Sequence, residues 1–295
     1  GITAVVEMSL ASGITLLRPS ELNPLNTSSR GTGEIIADAL RHGCRKFLIG
    51  IGGSATNDAG TGMLEALGFR FLDKDAHQLK ACGGALEQIV VVDQSGAMPE
   101  LAEAEFIVAC DVTAPLYGES GAAYIFAPQK GADIEMVERL DDGLKHFSEV
   151  VAGCGWCSED YSSFPGSGAA GGLGFGFLSF LNARLERGIE MVLDAIGFDS
   201  IIEKADLIIT GEGRIDSQTL TGKTPFGVLQ RAKKQDIPVV AIGGAVALDP
   251  QAALEAGFAG VYAVTPEGML LETAMRPDVA SENISNTVRN ILSHE

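Results

Sequence analysis

The feature that most constrains the fold is an apolar run that leads into a glycine-rich turn, within residues 46–63. A short apolar run bounded by glycine is typical of a buried strand, and the small polar residues after it predict a tight turn that opens a helix. Gly52, Gly53 and Ser54 form the centre of this turn. Glycines let backbone N–H groups approach an oxyanion, and a helix N-terminus adds roughly half a positive charge. The stretch therefore predicts a site for a phosphate or a carboxylate.

Two short polar side chains, Asn57 and Asp58, stand where that helix is predicted to begin, near residues 58–67. Side chains of this kind cap a helix, or they contact a substrate hydroxyl or a magnesium ion beside an anion site. Glycine-rich turns also occur simply where a helix packs closely on a sheet. The pair of polar residues favours a ligand site over packing alone.

The charge balance excludes several classes of partner. The chain has 295 residues, of which 21 are Lys or Arg and 39 are Asp or Glu, for a formal net charge of -18. We expect neither a nucleic acid nor an anionic membrane surface as partner, because no basic run offsets this field. An anionic substrate must therefore be bound by local positive groups.

Length and composition indicate a globular protein of the cytoplasm. With 46% hydrophobic residues, the chain can bury one large core or two moderate ones. Apolar runs stay short of the roughly 18 residues that a membrane span needs, and the N-terminus lacks the pattern of a signal peptide. The five cysteines are an odd number in a chain that needs no covalent staples, which favours a reducing compartment.

Strand and helix patterns alternate along the chain, which predicts an α/β fold. A buried strand at residues 106–109 is followed by Asp111, and open α/β sheets bind ligands at the carboxyl ends of their strands. Asp111 is therefore a candidate for holding a metal or a hydroxyl, with a turn or capping role as the alternative. Lys130, just ahead of a long amphipathic helix, is a candidate contact for an anionic ligand, although most single lysines are only solvated.

A second candidate site follows another predicted strand, at residues 205–210. Charged residues alternate in the predicted loop beyond it, between glycines, and such a cluster seldom serves packing. The charged residues are Glu212, Arg214 and Asp216, and the glycines are Gly211 and Gly213. Lys223 precedes a helix that Thr224 and Pro225 are predicted to open, where a cation and a helix dipole together attract phosphate.

Two nucleotide fingerprints almost match. Residues 50–55 fit the dinucleotide pattern G-x-G-x-x-A, with Asp73 downstream at a strand end, which keeps an NAD-dependent oxidoreductase acting on a small hydroxy acid as an alternative. Asp58 argues against it, since it would point a carboxylate at the pyrophosphate. Residues 217–224 fit the P-loop pattern G-x-x-x-x-G-K-[ST] except that Ser217 replaces the first glycine. The P-loop assignment therefore fails, but the phosphate-binding chemistry remains.

Taken together, these residues resemble the bacterial glycerate kinase family, whose members phosphorylate D-glycerate on its 2-hydroxyl with ATP. The matching stretches follow the order of the family across nearly the whole chain and are residues 50–62, 110–113, 128–131, 168–174 and 210–223. The resemblance implies two different α/β domains, one flavodoxin-like and one similar to a restriction-endonuclease core, with the active site in the cleft between them.

The resemblance also implies a domain division. We expect residues 1–200 to form a central α/β domain that carries the glycine-rich loop. Residues 201–295 then form the C-terminal part of a second, discontinuous domain, whose N-terminal part, with an Asp-Ser-Phe-Lys motif, is expected to be absent from this chain. A catalytically inactive glycerate- or nucleotide-binding remnant is the alternative this raises. Ala114 is a further departure, because the family commonly has Asn there.

Phosphoryl transfer needs mainly positioning and charge neutralisation, and the candidate residues supply both. We expect Gly52, Gly53 and Ser54 to bind phosphate or the glycerate carboxylate through backbone donors, with Asn57, Lys130, Gly211 and Gly213 also contacting substrate or nucleotide. The remaining roles are distributed over six charged residues: Lys223 and Arg214 neutralise the transferred charge, Asp111 and Glu212 hold Mg²⁺, and either Asp58 or Asp216 orients the attacking hydroxyl as base. ATP, Mg²⁺ and D-glycerate are the expected cofactors and substrate, and homo-oligomerisation is left open.

Overall fold

The chain packs as two compact units, Gly1–Gly188 and Ile189–Glu295, in a computed structural model that describes residues 1–154 and 159–293. Each unit has its own hydrophobic core. Both units combine helices with parallel strands, and the predicted α/β class is thereby confirmed. The flavodoxin-like and endonuclease-like descriptions of the two domains stay predictions.

The first unit is built on a parallel sheet of four strands. Its strands are β1 (Ile2–Glu7), β2 (Cys44–Gly50), β3 (Arg70–Leu72), β4 (Val91–Asp93), β5 (Glu105–Ala109) and β6 (Arg184–Glu186). The sheet has the order β1-β2-β5-β6 with parallel pairing throughout, and β3 and β4 form a separate antiparallel pair. The central strands are mostly apolar because helices cover their faces.

The longer helices of this unit bury apolar side chains in the first core. The helices of the unit are α1 (Ser9–Ser12), α2 (Arg30–Arg41), α3 (Thr61–Ala66), α4 (Ala122–Phe126), α5 (Ile134–Gly153) and α6 (Ala169–Leu181). Short 3-10 turns link them at Ile14–Leu16, Pro19–Glu21, Gly83–Gln88, Pro99–Glu103 and Pro128–Lys130. In α5 the residues Val137, Leu140, Leu144 and Phe147 are buried, and this spacing puts them on one face.

Aromatic rings fill the centre of the first core. Phe47 of β2 stacks on Phe106 of β5 with ring centroids 4.8 Å apart, and Phe177 of α6 lies 6.1 Å from Phe106. Phe147 of α5 contacts Phe175 edge-on at 6.1 Å. These contacts join β2, β5, α5 and α6 into one packed body, and β2, β5 and α6 adjoin the candidate site.

The strand register brings several strand ends to one edge of the sheet. Gly50 at the end of β2 is paired with Glu7 of β1 and with Ala109 of β5, and Ala109 is in turn paired with Glu186 of β6. The hydrogen bonds Met8 N to Gly50 O, at 3.0 Å, and Cys110 N to Glu186 O, at 2.8 Å, continue this alignment beyond the strands. The loops after these strands therefore emerge side by side.

The second unit contains a parallel sheet of three strands in the order β7-β8-β9. Its strands are β7 (Ile208–Ile215), β8 (Val239–Val246) and β9 (Gly260–Ala263), and its helices are α7 (Gly188–Ala195), α8 (Phe198–Ile202), α9 (Thr224–Lys233), α10 (Pro250–Ala256), α11 (Leu271–Ala274) and α12 (Pro277–Ser293). Ile215, Val239 and Leu229 lie in its core.

Residues 189–200 pack within the second unit, although the sequence predicted the division at residue 200. Arg231 of α9 is the reason. Its side chain is 11% exposed and pairs with Glu190 at 2.8 Å, with Asp199 at 2.9 Å and with Asp194. A guanidinium is the side chain best suited to several carboxylates at once, so it attaches α7 and the start of α8 to α9.

None of the helices in the described part of the chain combines the length and the apolarity that crossing a bilayer requires.

The packing of α2 on α3 yields the first prediction. A Cβ added at Gly33 would lie 2.3 Å from the carbonyl oxygen of Met63 and 2.7 Å from its Cα, so the two helices would have to separate. We expect Gly33→Ala to lower the free energy of unfolding by about 2–3 kcal/mol, as overpacking does. Chemical denaturation of the purified variant measures this loss.

The matched control is Gly153→Ala in α5, where an added Cβ would lie within 4 Å of no atom of the described residues. There alanine is expected to be neutral or to stabilise by a few tenths of a kcal/mol, because it restricts the unfolded chain. Equal stability of the Gly33→Ala variant and the wild-type protein would contradict this account of the α2–α3 contact.

Candidate functional site

A pocket of about 390 Å³ lies in the first unit where the loops after β2 and β5 emerge. The turn Pro128–Lys130 and the start of α6 complete its wall. The predicted site residues that line it are Gly52, Gly53, Ser54, Asp111 and Lys130. The aligned strand ends thus bring together side chains that are far apart in sequence, as open α/β sheets do.

The glycine-rich turn after β2 presents backbone donors to this pocket. Gly53 has φ +72°, a conformation that glycine adopts without strain. The turn is fixed from behind by Ile14, whose N–H donates to Gly53 O at 2.9 Å, and by Ala55, whose N–H donates to Ser12 O at 3.0 Å. Within the described residues the N–H groups of Gly52 and Gly53 find no acceptor, and they remain available to an anion.

Lys130 is a buried cation in the wall of the pocket. Its residue is 1% exposed, and its Nζ donates to the Ser54 hydroxyl and to the carbonyl of Thr56, each at 2.7 Å. Burial lowers the pKa of Lys130 to about 7, and the attraction of Asp58 only partly offsets this loss of hydration. The sequence singled out this lysine but gave no sign of its burial.

Asp58 does not face the pocket. It is fully buried, and its carboxylate accepts four hydrogen bonds: from the N–H and hydroxyl of Ser29 at 2.7 and 2.9 Å, and from the N–H groups of Gly60 and Gly62 at 3.2 Å each. Desolvation raises the pKa of Asp58, and these hydrogen bonds oppose the rise. A carboxylate with this many donors and no exposure is placed to organise the loop rather than to reach a substrate.

The helix that follows the glycine-rich turn was therefore predicted wrongly in one respect. It begins at Thr61 instead of near residue 58, and the positive-φ residue Gly60 precedes it. The anion at the start of α3 is the carboxylate of Asp58 itself, which occupies the N–H groups that a ligand would have used. The backbone donors of this stretch that have no acceptor within the described residues are those of Gly52 and Gly53 instead.

The same observation weakens the dinucleotide alternative. The pattern G-x-G-x-x-A binds a pyrophosphate at the N-terminus of a helix that opens directly from the glycines. Here the described chain continues without a helix until Thr61, and the first helical N–H groups bond to Asp58. The glycines at 50–53 consequently lack the partner that dinucleotide binding needs.

Asn57 lies beside Asp58 and is also completely buried. Among the described residues its side-chain oxygen and nitrogen have no hydrogen-bond partner, and neither does the hydroxyl of Thr56. Asn57 is not part of the pocket wall. Its predicted contact with a ligand stays a prediction.

The second glycine-rich stretch forms part of the pocket through a left-handed turn. Ala170, Gly171 and Gly172 have φ values of +53°, +72° and +87°, and Ala170 lines the pocket. A Cβ at Gly171 would lie 2.0 Å from the carbonyl oxygen of Thr56, so glycine is required for this close approach. The sequence left packing and ligand binding open here. The structure shows the close packing, with the adjacent glycines 171 and 172 as its signal in the sequence, and ligand binding stays a prediction.

Asp111 stands at the exposed rim of the pocket, as the position after β5 predicted. One carboxylate oxygen accepts a hydrogen bond from the N–H of Gly188 at 3.0 Å, and this contact fixes the side chain next to the end of β6. The other oxygen has no partner within the described residues. Mg²⁺ commonly takes one or two carboxylates and fills its other positions with water and phosphate, so Asp111 fits such a role.

The second unit holds the other predicted site residues, and their local structure differs from the prediction. The segment expected to be a loop continues β7, because Glu212 and Arg214 are paired with Gly243 and Ala245 of β8. Glu212 and Arg214 are two residues apart and share one face of the strand. Gly211 and Gly213 lie between them in β7.

A hydrogen-bond network organises the residues around the end of β7. The Thr219 hydroxyl donates to Glu212 and accepts from the N–H of Asp216 at 3.1 Å. One Asp216 oxygen accepts from the N–H of Gln218 at 3.0 Å, and the other lies 3.4 Å from Arg214 Nε. The second oxygen of Glu212 is not bonded within the described chain, which leaves it available to a metal.

Lys223 precedes α9, which begins at Thr224 with Pro225 in its first turn, as predicted. The Lys223 side chain is exposed. Its ammonium is therefore available to a phosphate near the start of this helix.

Neither Asp111 nor Glu212 belongs to a group of three neighbouring side chains that could hold a metal ion together. The one such group in the described residues is Asp73, Asp75 and His77, in an exposed loop after β3. There Asp73 already accepts hydrogen bonds from the N–H groups of Asp75 and His77 at 2.9 Å.

Comparison with known proteins identifies the family of this chain. The model of the glycerate kinase family matches residues 1–294. A glycerate kinase of Bacillus subtilis (strain 168) is 45% identical over 99% of this chain and 76% of its own length. A glycerate 2-kinase of Escherichia coli (strain K12) is 44% identical, with the same coverage.

A solved structure shows the same fold. A crystal structure from Salmonella typhimurium LT2, named as glycerate kinase 2 on a provisional basis, superposes with a TM-score of 0.86 at 43% identity. The match covers 99% of this chain and 75% of that chain. With a family model that matches nearly every residue and curated relatives above 40% identity, the chain belongs to the glycerate kinase family.

Proposed function

We propose that this protein transfers the terminal phosphoryl group of ATP to the 2-hydroxyl of D-glycerate, forming 2-phosphoglycerate and ADP. The observation that carries the proposal is the pocket in the first unit, which combines free glycine N–H groups with one buried cation. Its volume of about 390 Å³ suits a small organic acid. The name of the Escherichia coli relative supports the 2-position.

The reaction needs the 2-hydroxyl oxygen to attack the γ-phosphorus while the bond to the bridging oxygen of ADP breaks. The hydroxyl proton passes to a carboxylate, and the charge of the transferred group has to be neutralised. We assign the neutralising role to Lys223 and Arg214, and the proton-accepting role to Asp216. Asp216 is about one-quarter exposed, whereas Asp58 is fully buried and bonded to four donors.

Mg²⁺ is part of this proposal through Asp111 and Glu212, each of which keeps one carboxylate oxygen without a partner in the described chain. When bound with the nucleotide, the ion neutralises phosphate charge. The backbone N–H groups of Gly52 and Gly53 bind the acid, while Gly211 and Gly213 allow close approach of a ligand to β7. Asn57 is retained as a residue that shapes the turn behind the acid.

The proposed cellular location follows from the substrates. ATP and a small organic acid are both available in the cytoplasm, and we place the enzyme there. The excess of acidic residues, 39 against 21 basic ones, disfavours nucleic acid as a partner. Homo-oligomerisation is compatible with this function and is not needed for it.

The first test of function is an assay of ADP release with D-glycerate, L-glycerate and tartronate. We expect turnover with D-glycerate and Mg-ATP, because the pocket combines hydrogen-bond donors for an anion with space for a small hydroxy acid. Coupling the product directly to enolase, which accepts 2-phosphoglycerate, identifies the phosphorylated position. Product that enolase consumes only after a phosphoglycerate mutase is added would contradict the 2-position.

The same preparation decides between the alternatives. Thermal shifts with Mg-ATP but not with NADH are expected for a kinase, and stabilisation by NADH alone would support an oxidoreductase. Binding of D-glycerate and Mg-ATP without release of ADP would indicate an inactive binding protein and would refute the proposed activity.

Lys223 is tested by Lys223→Ala. Because a hydrogen bond to a charged group contributes about 1.5–3 kcal/mol, we expect kcat/KM for ATP to fall roughly 10- to 100-fold. Steady-state kinetics at saturating D-glycerate measure the change. Lys234→Ala, at the exposed end of the same helix, is the matched control and should keep wild-type kinetics. Unchanged kcat/KM in Lys223→Ala would remove its phosphate role.

The substitutions Asp58→Ala and Asp216→Ala are expected to lower different properties, stability in the first and kcat in the second. Asp58→Ala leaves buried donors of Ser29, Gly60 and Gly62 without an acceptor, and we expect a loss of about 3 kcal/mol or more in stability. Asp216→Ala should keep the wild-type stability and lower kcat roughly 10²- to 10⁴-fold, as loss of a general base does. Denaturation curves and kinetics on both variants separate the two roles. A stable Asp58→Ala variant with a lowered kcat would assign the role of base to Asp58 instead of Asp216.

A further inference from the structure

The pocket of the first unit has a simple charge pattern. Of the residues that line it, all of which lie in the described part of the chain, Lys130 has the only positive side chain and Asp111 the only negative one. An organic acid that enters the pocket therefore has one side chain available to neutralise its carboxylate. The remaining donors include the N–H groups of the glycine-rich turn, the hydroxyl of Ser54 and the side-chain amide of Gln129.

The partners of Lys130 are neutral. Its Nζ contacts the Ser54 hydroxyl and the Thr56 carbonyl, and no carboxylate within the described residues lies close enough for an ion pair. Asp58 attracts the ammonium from a distance, but its own oxygens are already bonded to four donors. A buried ammonium with this environment lacks the counter-ion that buried charges normally have.

Other titratable groups around Lys130 leave this balance unchanged. The turn 52–58 contributes Asp58, and the segment after β5 contributes Asp111 and Cys110. Burial raises the pKa of the Cys110 thiol, which therefore stays uncharged near neutral pH. The start of α6 presents only Ala169 and Ala170. The carboxylate of a bound substrate would thus be the closest counter-ion of the lysine.

We propose that Lys130 recognises the carboxylate of the acid substrate and takes up a proton from solvent as the acid binds. This inference rests on the proposed glycerate function and deepens it, because it names the recognised group and the way binding responds to pH. In the free protein the lysine is neutral in part, with Nζ held by Ser54 and Thr56. In the complex Nζ carries the third proton and donates to a carboxylate oxygen.

The direction of the pH dependence follows from the linkage between protonation and binding. In the free protein the pKa of Lys130 is lowered to about 7, and a bound carboxylate raises it again. Below pH 7 the lysine is already charged, so affinity is high and nearly independent of pH. Above pH 7 the free lysine is neutral, and the dissociation constant for the acid is expected to rise about tenfold for each pH unit.

A role as general base would produce the opposite profile. A neutral Lys130 that removes the hydroxyl proton requires the deprotonated form, so kcat would rise as the pH passes through 7. Recognition of the carboxylate requires the protonated form, so kcat/KM for D-glycerate falls over the same interval while kcat stays constant. The two roles are therefore separated by which kinetic constant changes and in which direction.

The test is titration calorimetry of the whole chain with D-glycerate, repeated in buffers of different ionisation enthalpy. Since a group with a pKa near 7 is about 90% neutral at pH 8 and about 10% neutral at pH 6, we expect uptake of roughly 0.9 proton per acid at pH 8 and roughly 0.1 at pH 6. Glycerol, which has the hydroxyls but no carboxylate, should bind without proton uptake.

Two variants localise the proton. Lys130→Met keeps the length and the apolar character of the buried side chain, and it is expected to lose proton uptake and to weaken D-glycerate binding at pH 6 at least tenfold. Lys145→Met, at an exposed lysine of α5, is the matched control and should behave as the wild-type protein does. If Lys130→Met does not fold, the proton count on the wild-type chain decides the question.

The outcomes are distinct. D-glycerate that binds with no proton uptake at pH 8, or that binds Lys130→Met as tightly as wild type at pH 6, would overturn the role of Lys130 and leave the proposed kinase activity intact. A kcat that rises through pH 7 with unchanged affinity would likewise overturn it in favour of a base. Absence of both binding and turnover with D-glycerate would instead overturn the proposed function itself.

Discussion

The buried carboxylate of Asp58 is the contact on which the first unit depends. It accepts hydrogen bonds from Ser29 ahead of α2 and from Gly60 and Gly62 at the start of α3, and it thereby ties the two packed helices to the glycine-rich turn. Its charge is also the one that Lys130 experiences within the protein. One carboxylate thus sets the position of the turn and the electrostatic environment of the pocket. The donors around it offset only part of the cost of its burial, since the pKa of Asp58 stays raised.

Close backbone contact is the second constraint on the site. The chain around Gly171 and Gly172 approaches residues 56–59 so closely that a Cβ at Gly172 would lie 2.9 Å from the Cα of Ala59. The N–H of Ala59 donates to Gly171 O at 3.0 Å, and this bond joins the two glycine-rich stretches. Each stretch is therefore shaped by the other. Neither would form the pocket alone, which explains why glycine recurs in both.

Much of the site was predictable from the sequence because it depends on local patterns. The apolar strand before the glycine-rich turn, the position of Asp111 after β5 and the start of α9 beyond Lys223 all follow from short-range rules. The burial of Lys130 and the two Ser29 donors to Asp58 depend on contacts between residues distant in sequence, and local patterns contain no sign of them. The extension of β7 through Glu212 and Arg214 was missed because its pairing with β8, and not its own composition, makes it a strand.

The left-handed backbone conformation of Ala170 affects both the stability of the fold and the size of the pocket. Ala170 is a residue with a side chain in a backbone region that normally costs an L-amino acid roughly 1–2 kcal/mol, and it forms part of the pocket wall. A glycine would remove that cost but would also remove a methyl group from the enclosure. The protein thus maintains a narrower chamber at the expense of conformational stability. The size of the pocket and the resistance to unfolding are consequently opposed at a single position.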